Sequence, residues 1–193
     1  KALEAYNQAL QWYTQAADES NQASTLFQMG TAYFVSGQFE RGRERFDRAL
    51  VFYKQLKAKK GEATALPSLG LLDSISGQRE RAVDRHRQAL IMYREIGDKH
   101  AEAHSLSAAG FAYADLGQMQ KALDCYRQAV PLYHEVGDAH FEAVRLSDIG
   151  GIYGQIGEAQ KALEYVHKSL QLYQKTSDQA GEAGAPNNLG FLY

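Results

Sequence analysis

The chain has 193 residues, of which 45% are hydrophobic and 23% are charged, and its formal net charge is −2. This near balance of charge argues against obligatory binding to nucleic acid or to an anionic membrane, and no apolar run approaches the roughly 18 residues that could span a bilayer. The single cysteine, Cys125, excludes an internal disulfide and fits a reducing compartment, so we expect a cytoplasmic protein.

A 40-residue period organises the sequence. Between residues 99 and 138, apolar residues recur at helical spacing in two runs, Leu106 to Tyr113 and Met119 to Tyr133, which predicts two amphipathic helices. Gly117 lies between the runs and can end the first helix, because glycine readily adopts a positive φ. Gly37, Gly77 and Gly157 lie in the same 40-residue register as Gly117. A second series at the same spacing consists of Gly30, Gly70, Gly110, Gly150 and Gly190. Such a period is typical of a stacked array.

In chain order, residues 1–18 match a second helix that lacks its first. Four full repeats and a first helix that lacks its second follow, at residues 19–58, 59–98, 99–138, 139–178 and 179–193. The sequence therefore predicts an all-α fold, a solenoid of antiparallel helix pairs with about four and a half repeats in a single array. Because the chain begins inside a predicted helix, we expect it to be a piece of a longer protein.

Two junctions between repeats carry a glycine followed by an aspartate, Gly97-Asp98 and Gly137-Asp138. We expect each glycine to follow the end of one helix and each aspartate to cap the next. The first junction between full repeats, residues 57–61, lacks this pair and should be looser.

Proline and glycine also occur inside the predicted helices. Pro67, Pro131 and Pro186 each remove a backbone hydrogen-bond donor and should bend their helices, which we expect stacking on neighbours to keep helical. Gly110 lies in mid-helix, where glycine is unfavourable, and recurs in every repeat. We infer that the facing helix approaches Gly110 too closely for a side chain.

The repeated residues resemble the tetratricopeptide repeat (TPR) family. The family pattern has a large apolar residue, Leu-Gly and Tyr on the first helix, then Ala, an aromatic residue and Ala on the second. In the third full repeat these are Leu106, Ala109-Gly110, Tyr113, Ala122, Tyr126 and Ala129. The 40-residue period is similar to the arrays of kinesin light chains, Pins-type regulators and bacterial signalling proteins with CHAT protease or NB-ARC ATPase domains. The resemblance implies a right-handed α-solenoid, the TPR superhelix, along the whole chain.

The resemblance also implies a concave groove lined by the first helices. The matching groove positions here are Phe27, Gln28, Thr31, Phe34, Pro67, Ser68, Leu71, Ser74, Ser107, Ala108, Phe111, Ser147, Asp148, Gly151, Gln155, Asn187, Asn188 and Phe191. Members of the 40-residue class often carry paired asparagines whose amides can clamp a peptide backbone, and only Asn187-Asn188 keeps that pair.

The function implied is a protein-interaction scaffold that binds a peptide or a helix of a partner in this groove. Such a scaffold would be the sensor or regulatory region of a larger signalling protein with an effector domain. The alternatives are an array that binds RNA or one that senses a peptide pheromone. No enzyme activity and no cofactor are expected, because the sequence offers no nucleophile or acid–base constellation.

A glycine-rich stretch is similar to a phosphate-binding loop. Gly151, Gly154 and Gly157 lie three residues apart, but a phosphate loop must follow a strand and open a helix. The repeat register instead places Gly151 and Gly154 within a helix and Gly157 at its end, so we expect no nucleotide site.

Two histidines, His100 and His104, lie at i, i+4, a spacing that can hold zinc. The metalloprotease motif needs a glutamate directly after the first histidine, where this chain has Ala101. We expect solvated histidines at the rim of the array and no bound metal.

Cys125 and His86 are the other candidates for chemistry. Cys125 lies in mid-helix with no activating group predicted beside it, so we expect an inert, half-buried thiol. His86 replaces Phe46 and Tyr126 of other repeats, and we expect it to be a packing residue.

The second helices of the first two full repeats are rich in arginine, at Arg41, Arg43, Arg45, Arg48, Arg79, Arg81, Arg85 and Arg87. Acidic residues such as Glu44 and Asp84 alternate with them and offer i, i+4 partners. We expect a solvated convex face; the alternative is a docking patch for an acidic partner, since a positive field can steer association.

The half-repeats at the two ends, 1–18 and 179–193, are complementary. Each would leave an apolar stripe uncovered, so the last helix of one molecule could stack on the first helix of another. Because this contact does not close on itself, we expect weak end-to-end self-association.

Overall fold

The computed structural model describes residues 2–176 and residue 178, and every regular element among them is an α-helix. First helices begin at residues 19, 59, 99 and 139, and second helices at 39, 79, 119 and 159, which confirms the 40-residue period. The chain divides into two compact units, one ending at Ile96 and the other starting at Gly97. None of the described helices combines the length and the apolar character that a membrane crossing requires.

In the first unit each helix packs against the next along the chain. The helices are α1 (Ala2–Gln15), α2 (Glu19–Val35), α3 (Phe39–Gln55), α4 (Lys59–Ile75) and α5 (Arg79–Ile96). Leu26 and Met29 of α2 and Leu69 of α4 are completely buried, and they anchor these two first helices in the core. This apolar burial is the main stabilising term for a repeat that has no large core of its own.

The second unit repeats this arrangement, again with consecutive helices in contact. Its helices are α6 (Lys99–Asp115), α7 (Met119–Val136), α8 (Ala139–Gln155) and α9 (Ala159–Thr176). One buried cluster joins Leu123 and Tyr126 of α7 to Ile149 and Ile152 of α8. The all-α fold of consecutive helix pairs is thus confirmed.

The junctions between repeats form as the sequence indicates. Gly97 and Gly137 adopt positive φ values of +77° and +75°. Asp98 and Asp138 each accept a hydrogen bond from a backbone amide in the next first turn, at 3.0 and 3.2 Å. At the earlier junction Lys57 adopts a φ of +53°, and the alanine after it offers no side-chain cap. The missing cap is confirmed; the expected looseness of this junction stays a prediction.

The mid-helix glycines lie under bulky side chains of the paired second helix. A Cβ atom on Gly110 would lie 2.5 Å from Cε1 of Tyr126, and one on Gly30 would lie 2.6 Å from Cδ1 of Phe46. The predicted close approach at Gly110 is confirmed, and the approaching group there is the tyrosine ring.

Both prolines in the described helices leave those helices continuous, since Pro67 lies within α4 and Pro131 within α7. Pro186 lies outside the described residues, as does the half-repeat 179–193. At the other end α1 has no buried residue, and Trp12 is 68% exposed. End-to-end association through these helices stays a prediction.

His86 is a packing residue, as expected, and only 4% of its surface is exposed. Its ring lies over Gly70, the copy of Gly110, and its buried Nδ1 has no hydrogen-bond partner. Burial lowers the pKa of His86 to about 4, against a weaker opposing effect of the Asp73 carboxylate. The folded protein therefore favours the neutral imidazole.

We expect the free energy of unfolding to decrease as the pH falls from about 6.5 to about 4. In this range the unfolded chain takes up a proton at His86 and the folded chain does not, so protonation favours unfolding. His86→Phe should flatten this part of the profile in urea titrations at a series of pH values. His134→Phe, at an exposed site, is the matched control; equal profiles for His86→Phe and wild type would contradict the effect of burial.

Candidate partner-binding surface

In the first unit, three of the predicted groove residues are exposed on first helices. Gln28 and Thr31 lie on α2, and Leu71 lies on α4 with 46% of its surface exposed. Pro67, Ser68 and Ser74, also on α4, are half-buried. An exposed leucine on a first helix is available to a partner.

The two phenylalanines predicted for this part of the groove are half-buried by contacts within the unit. The Phe27 ring lies 5.2 Å from that of Phe46, and the Phe34 ring lies 5.6 Å from that of Phe39. Both residues were predicted to line the groove. The structure places their rings against second-helix aromatics, because aromatic pairs gain from both burial and edge contacts.

In the second unit, Phe111 is the most exposed of the predicted aromatic groove residues in the described chain, with 57% of its surface in solvent. Gln155 of α8 is exposed and Ala108 of α6 half-buried, whereas Ser107 and Ser147 are buried. Ser107 Oγ lies 3.1 Å from the hydroxyl of Tyr133, so this serine completes an internal hydrogen bond. Gly151 is buried; Asn187, Asn188 and Phe191 lie outside the described residues.

Asp148 of α8 forms an ion pair with Arg145, at 3.0 Å between Oδ2 and Nη2. Burial raises the pKa of Asp148, and the neighbouring guanidinium opposes that shift. Arg145 also lies over the Tyr126 ring, 5.2 Å from its centre, and its buried Nε has no hydrogen-bond partner. The carboxylate of Asp148 is therefore paired with an arginine of its own helix.

Asp73 of α4 is completely buried and joins three helices of the first unit. It accepts a hydrogen bond from Nη1 of Arg43 on α3 at 2.7 Å and from Nε of Arg85 on α5 at 2.6 Å. The tyrosines Tyr33, Tyr113 and Tyr153 occupy this position in the other repeats. This contact was not predicted from the sequence, and the aspartate at a tyrosine position is the signal that could have indicated it.

The prediction of a solvated convex face was thus wrong for Arg43 and Arg85, whose side chains are only 18% and 17% exposed. Their principal partner comes from another helix, because a buried carboxylate requires compensation. Arg85 Nη2 also lies 4.0 Å from Oδ1 of Asp47 on α3. Arg41 and Arg81 donate to glutamines three residues earlier in the chain.

The two histidines of α6 lie near the start of the helix, with His100 exposed and His104 half-buried. His100 Nε2 lies 3.1 Å from Oδ2 of Asp138, and His104 Nδ1 lies 3.2 Å from the hydroxyl of Tyr133. Burial lowers the pKa of His104, and the proximity of His100 adds to the effect. Burial and the neighbouring His100 therefore both favour a neutral imidazole at His104.

The glycine-rich stretch and the cysteine lie in or directly after ordinary helices. Gly151 and Gly154 lie inside α8, and Gly157 adopts a φ of +83° after its end, so the strand–loop–helix context of a phosphate loop is missing there. Cys125 is half-buried on α7.

Comparison with known proteins identifies the repeat. The sequence pattern of the tetratricopeptide repeat matches residues 21–95, 62–135 and 100–175. A search of curated proteins found no match.

Solved structures of low sequence identity share the fold. The apo form of RapI is 20% identical, with a TM-score of 0.88 over 95% of this chain and 67% of RapI. A Rap protein complexed with Competence and Sporulation Factor is 16% identical, with a TM-score of 0.76 over 95% of this chain and 53% of that one. A signal transduction ATPase with numerous domains (STAND) and a tetratricopeptide repeat sensor, from Pyrococcus horikoshii, is 16% identical, with a TM-score of 0.80 over 89% of this chain and 27% of that one. Since the family pattern spans most of the sequence and the helices repeat at the same period, the chain belongs to the tetratricopeptide repeat family.

Proposed function

We propose that this chain is a protein-interaction scaffold whose first helices bind a peptide or a helix of a partner protein. Residues 1–193 would then form one array, the cytoplasmic sensor or regulatory region of a larger signalling protein. The TPR family membership supports the interaction role, and the exposed Phe111 is the observation that carries the proposed site.

Phe111 has the properties of an anchor for a partner. Its ring is large and apolar, and its helix is fixed by buried residues on the opposite side, including Leu106 and Ala109. A rigid aromatic side chain loses little conformational entropy on binding, and aromatic residues are enriched among interface hot spots. Leu71 occupies the same repeat position in the first unit, 40 residues earlier.

Two of the structural relatives support a sensor role. A Rap protein with this fold has been solved in complex with Competence and Sporulation Factor, and the STAND protein from Pyrococcus horikoshii has a tetratricopeptide repeat sensor. The present chain spans 53% and 27% of these proteins, so a further effector region would fit the proposal.

We expect Phe111→Ala to weaken peptide binding by roughly tenfold or more, because truncation of a hot-spot ring removes its buried contact. Ligands can be selected from a random peptide library displayed on phage, and affinities for wild type and variant measured by fluorescence polarisation.

The matched control is Leu163→Ala, which truncates a side chain that is 52% exposed on the second helix α9. This variant should bind with wild-type affinity, and both variants should melt within a few degrees of wild type. Equal affinity of Phe111→Ala and wild type would move the binding site away from this surface. Tight, salt-dependent RNA binding with no selected peptide would favour the RNA-binding alternative.

A further inference from the structure

Three metal-ligating side chains meet in the second unit, at the start of α6 and the junction of α7 with α8. His100 and His104 come from α6, and Asp138 is the first residue before α8. One ligand atom from each lies within 4.8 Å of the others. We propose that His100, His104 and Asp138 form a binding site for a divalent transition-metal ion, with zinc as the best fit.

The distances suit a zinc centre. Zinc binds imidazole nitrogen and carboxylate oxygen at about 2.0–2.2 Å, so two ligand atoms of a tetrahedral site lie roughly 3.3 Å apart. His100 Nε2 and Asp138 Oδ2 are already 3.1 Å apart. The ring of His104 lies 4.5 Å from that of His100, centre to centre, and one ligand atom of each of the three residues lies within 4.8 Å of the others.

Two of the three ligands, Asp138 and His104, are each oriented by a contact outside the proposed site. Oδ1 of Asp138 accepts the amide hydrogen of Phe141 as the cap of α8, which leaves Oδ2 for the ion. Nδ1 of His104 is within hydrogen-bond distance of the Tyr133 hydroxyl, which leaves Nε2. A hydrogen bond to the second nitrogen of a ligating histidine fixes its ring and is the usual support for a metal ligand.

The next repeat provides an incomplete copy of the cluster. His140 Nδ1 lies 2.6 Å from Oδ2 of Asp178, as the counterpart of the His100–Asp138 pair. Val144 occupies the position of His104, so this copy has two ligands and not three. The i, i+4 spacing of the histidines was visible in the sequence, and the tertiary structure supplies the third ligand from the α7–α8 junction.

The ligand set selects the class of ion. Imidazole suits zinc, copper, nickel and iron, whereas magnesium and calcium prefer oxygen ligands throughout. Three protein ligands leave a fourth position for water, as in open zinc sites. A bound ion would join the start of α6 to the start of α8, two successive first helices of the proposed partner-binding surface.

The test is calorimetric titration of the EDTA-treated and dialysed protein with zinc, and with magnesium for comparison. We expect one zinc ion per chain and no magnesium binding. His104→Val reproduces the next repeat, and Asp138→Asn removes the charge while asparagine can still cap α8. Each variant should weaken zinc binding by about tenfold or more, since even outer-shell changes cost about 10–100-fold.

The control variant is His140→Ala, which should leave the zinc affinity unchanged, and circular dichroism should show every variant helical. Cobalt provides a second readout, since the visible absorption of the bound ion should be lost in His104→Val. A wild-type protein that binds no zinc would overturn the proposal. So would unchanged affinity in both His104→Val and Asp138→Asn, or an equal loss in His140→Ala.

Discussion

Asp73→Leu should lower the free energy of unfolding by about 3–5 kcal/mol, the usual cost of removing one partner from a buried ion pair. The side chain of Asp73 is fully buried and accepts from Arg43 and Arg85, both of which are mostly buried. Without the carboxylate, two guanidinium groups would lie close together with no anionic partner in the core. Urea unfolding followed by circular dichroism measures the loss.

A triple variant separates the charge effect from packing. Adding Arg43→Met and Arg85→Met to Asp73→Leu should recover most of the lost stability, because replacing a whole buried ion cluster with apolar residues is often neutral or stabilising. Asp84→Leu, at an exposed site on α5, should change stability little. If the triple variant were as unstable as Asp73→Leu alone, the loss would come from packing and not from uncompensated charge.

Gly110→Leu should lower the free energy of unfolding by about 1–3 kcal/mol through overpacking. A Cβ atom at this position would lie 2.5 Å from Cε1 of Tyr126, whose ring is only 3% exposed, so the ring or its helix must shift to admit a side chain. Thermal and urea unfolding of the purified variant give the change directly.

The same substitution in a Tyr126→Ala background is the control. Removing the ring opens space above residue 110, so the added leucine should cost less there than in the wild-type background, and the two changes should couple. A Gly110→Leu variant that melts at or above the wild-type temperature would contradict the close approach.

The sequence by itself determined the helices and their period. Apolar spacing is a local property, and the 40-residue register of glycines and tyrosines places each first helix against its second. Helix caps are local too, so the roles of Gly137 and Asp138 at the helix ends could be assigned from two consecutive residues. Gly110 could be interpreted because its recurrence in mid-helix has few explanations other than a close contact. Local patterns of this kind do not determine which partner binds or where, so the predicted groove residues stay predictions.

Only the tertiary structure decided which polar groups meet. Asp73 lies 30 residues from Arg43 and 12 from Arg85, and Asp138 lies 38 from His100. A pattern of i, i+4 neighbours favours pairs within one helix, whereas the packing of α3, α4 and α5 brings a buried carboxylate to arginines on two other helices. A buried charge requires compensation wherever the fold provides it, and that requirement outweighs weak surface pairs along a helix.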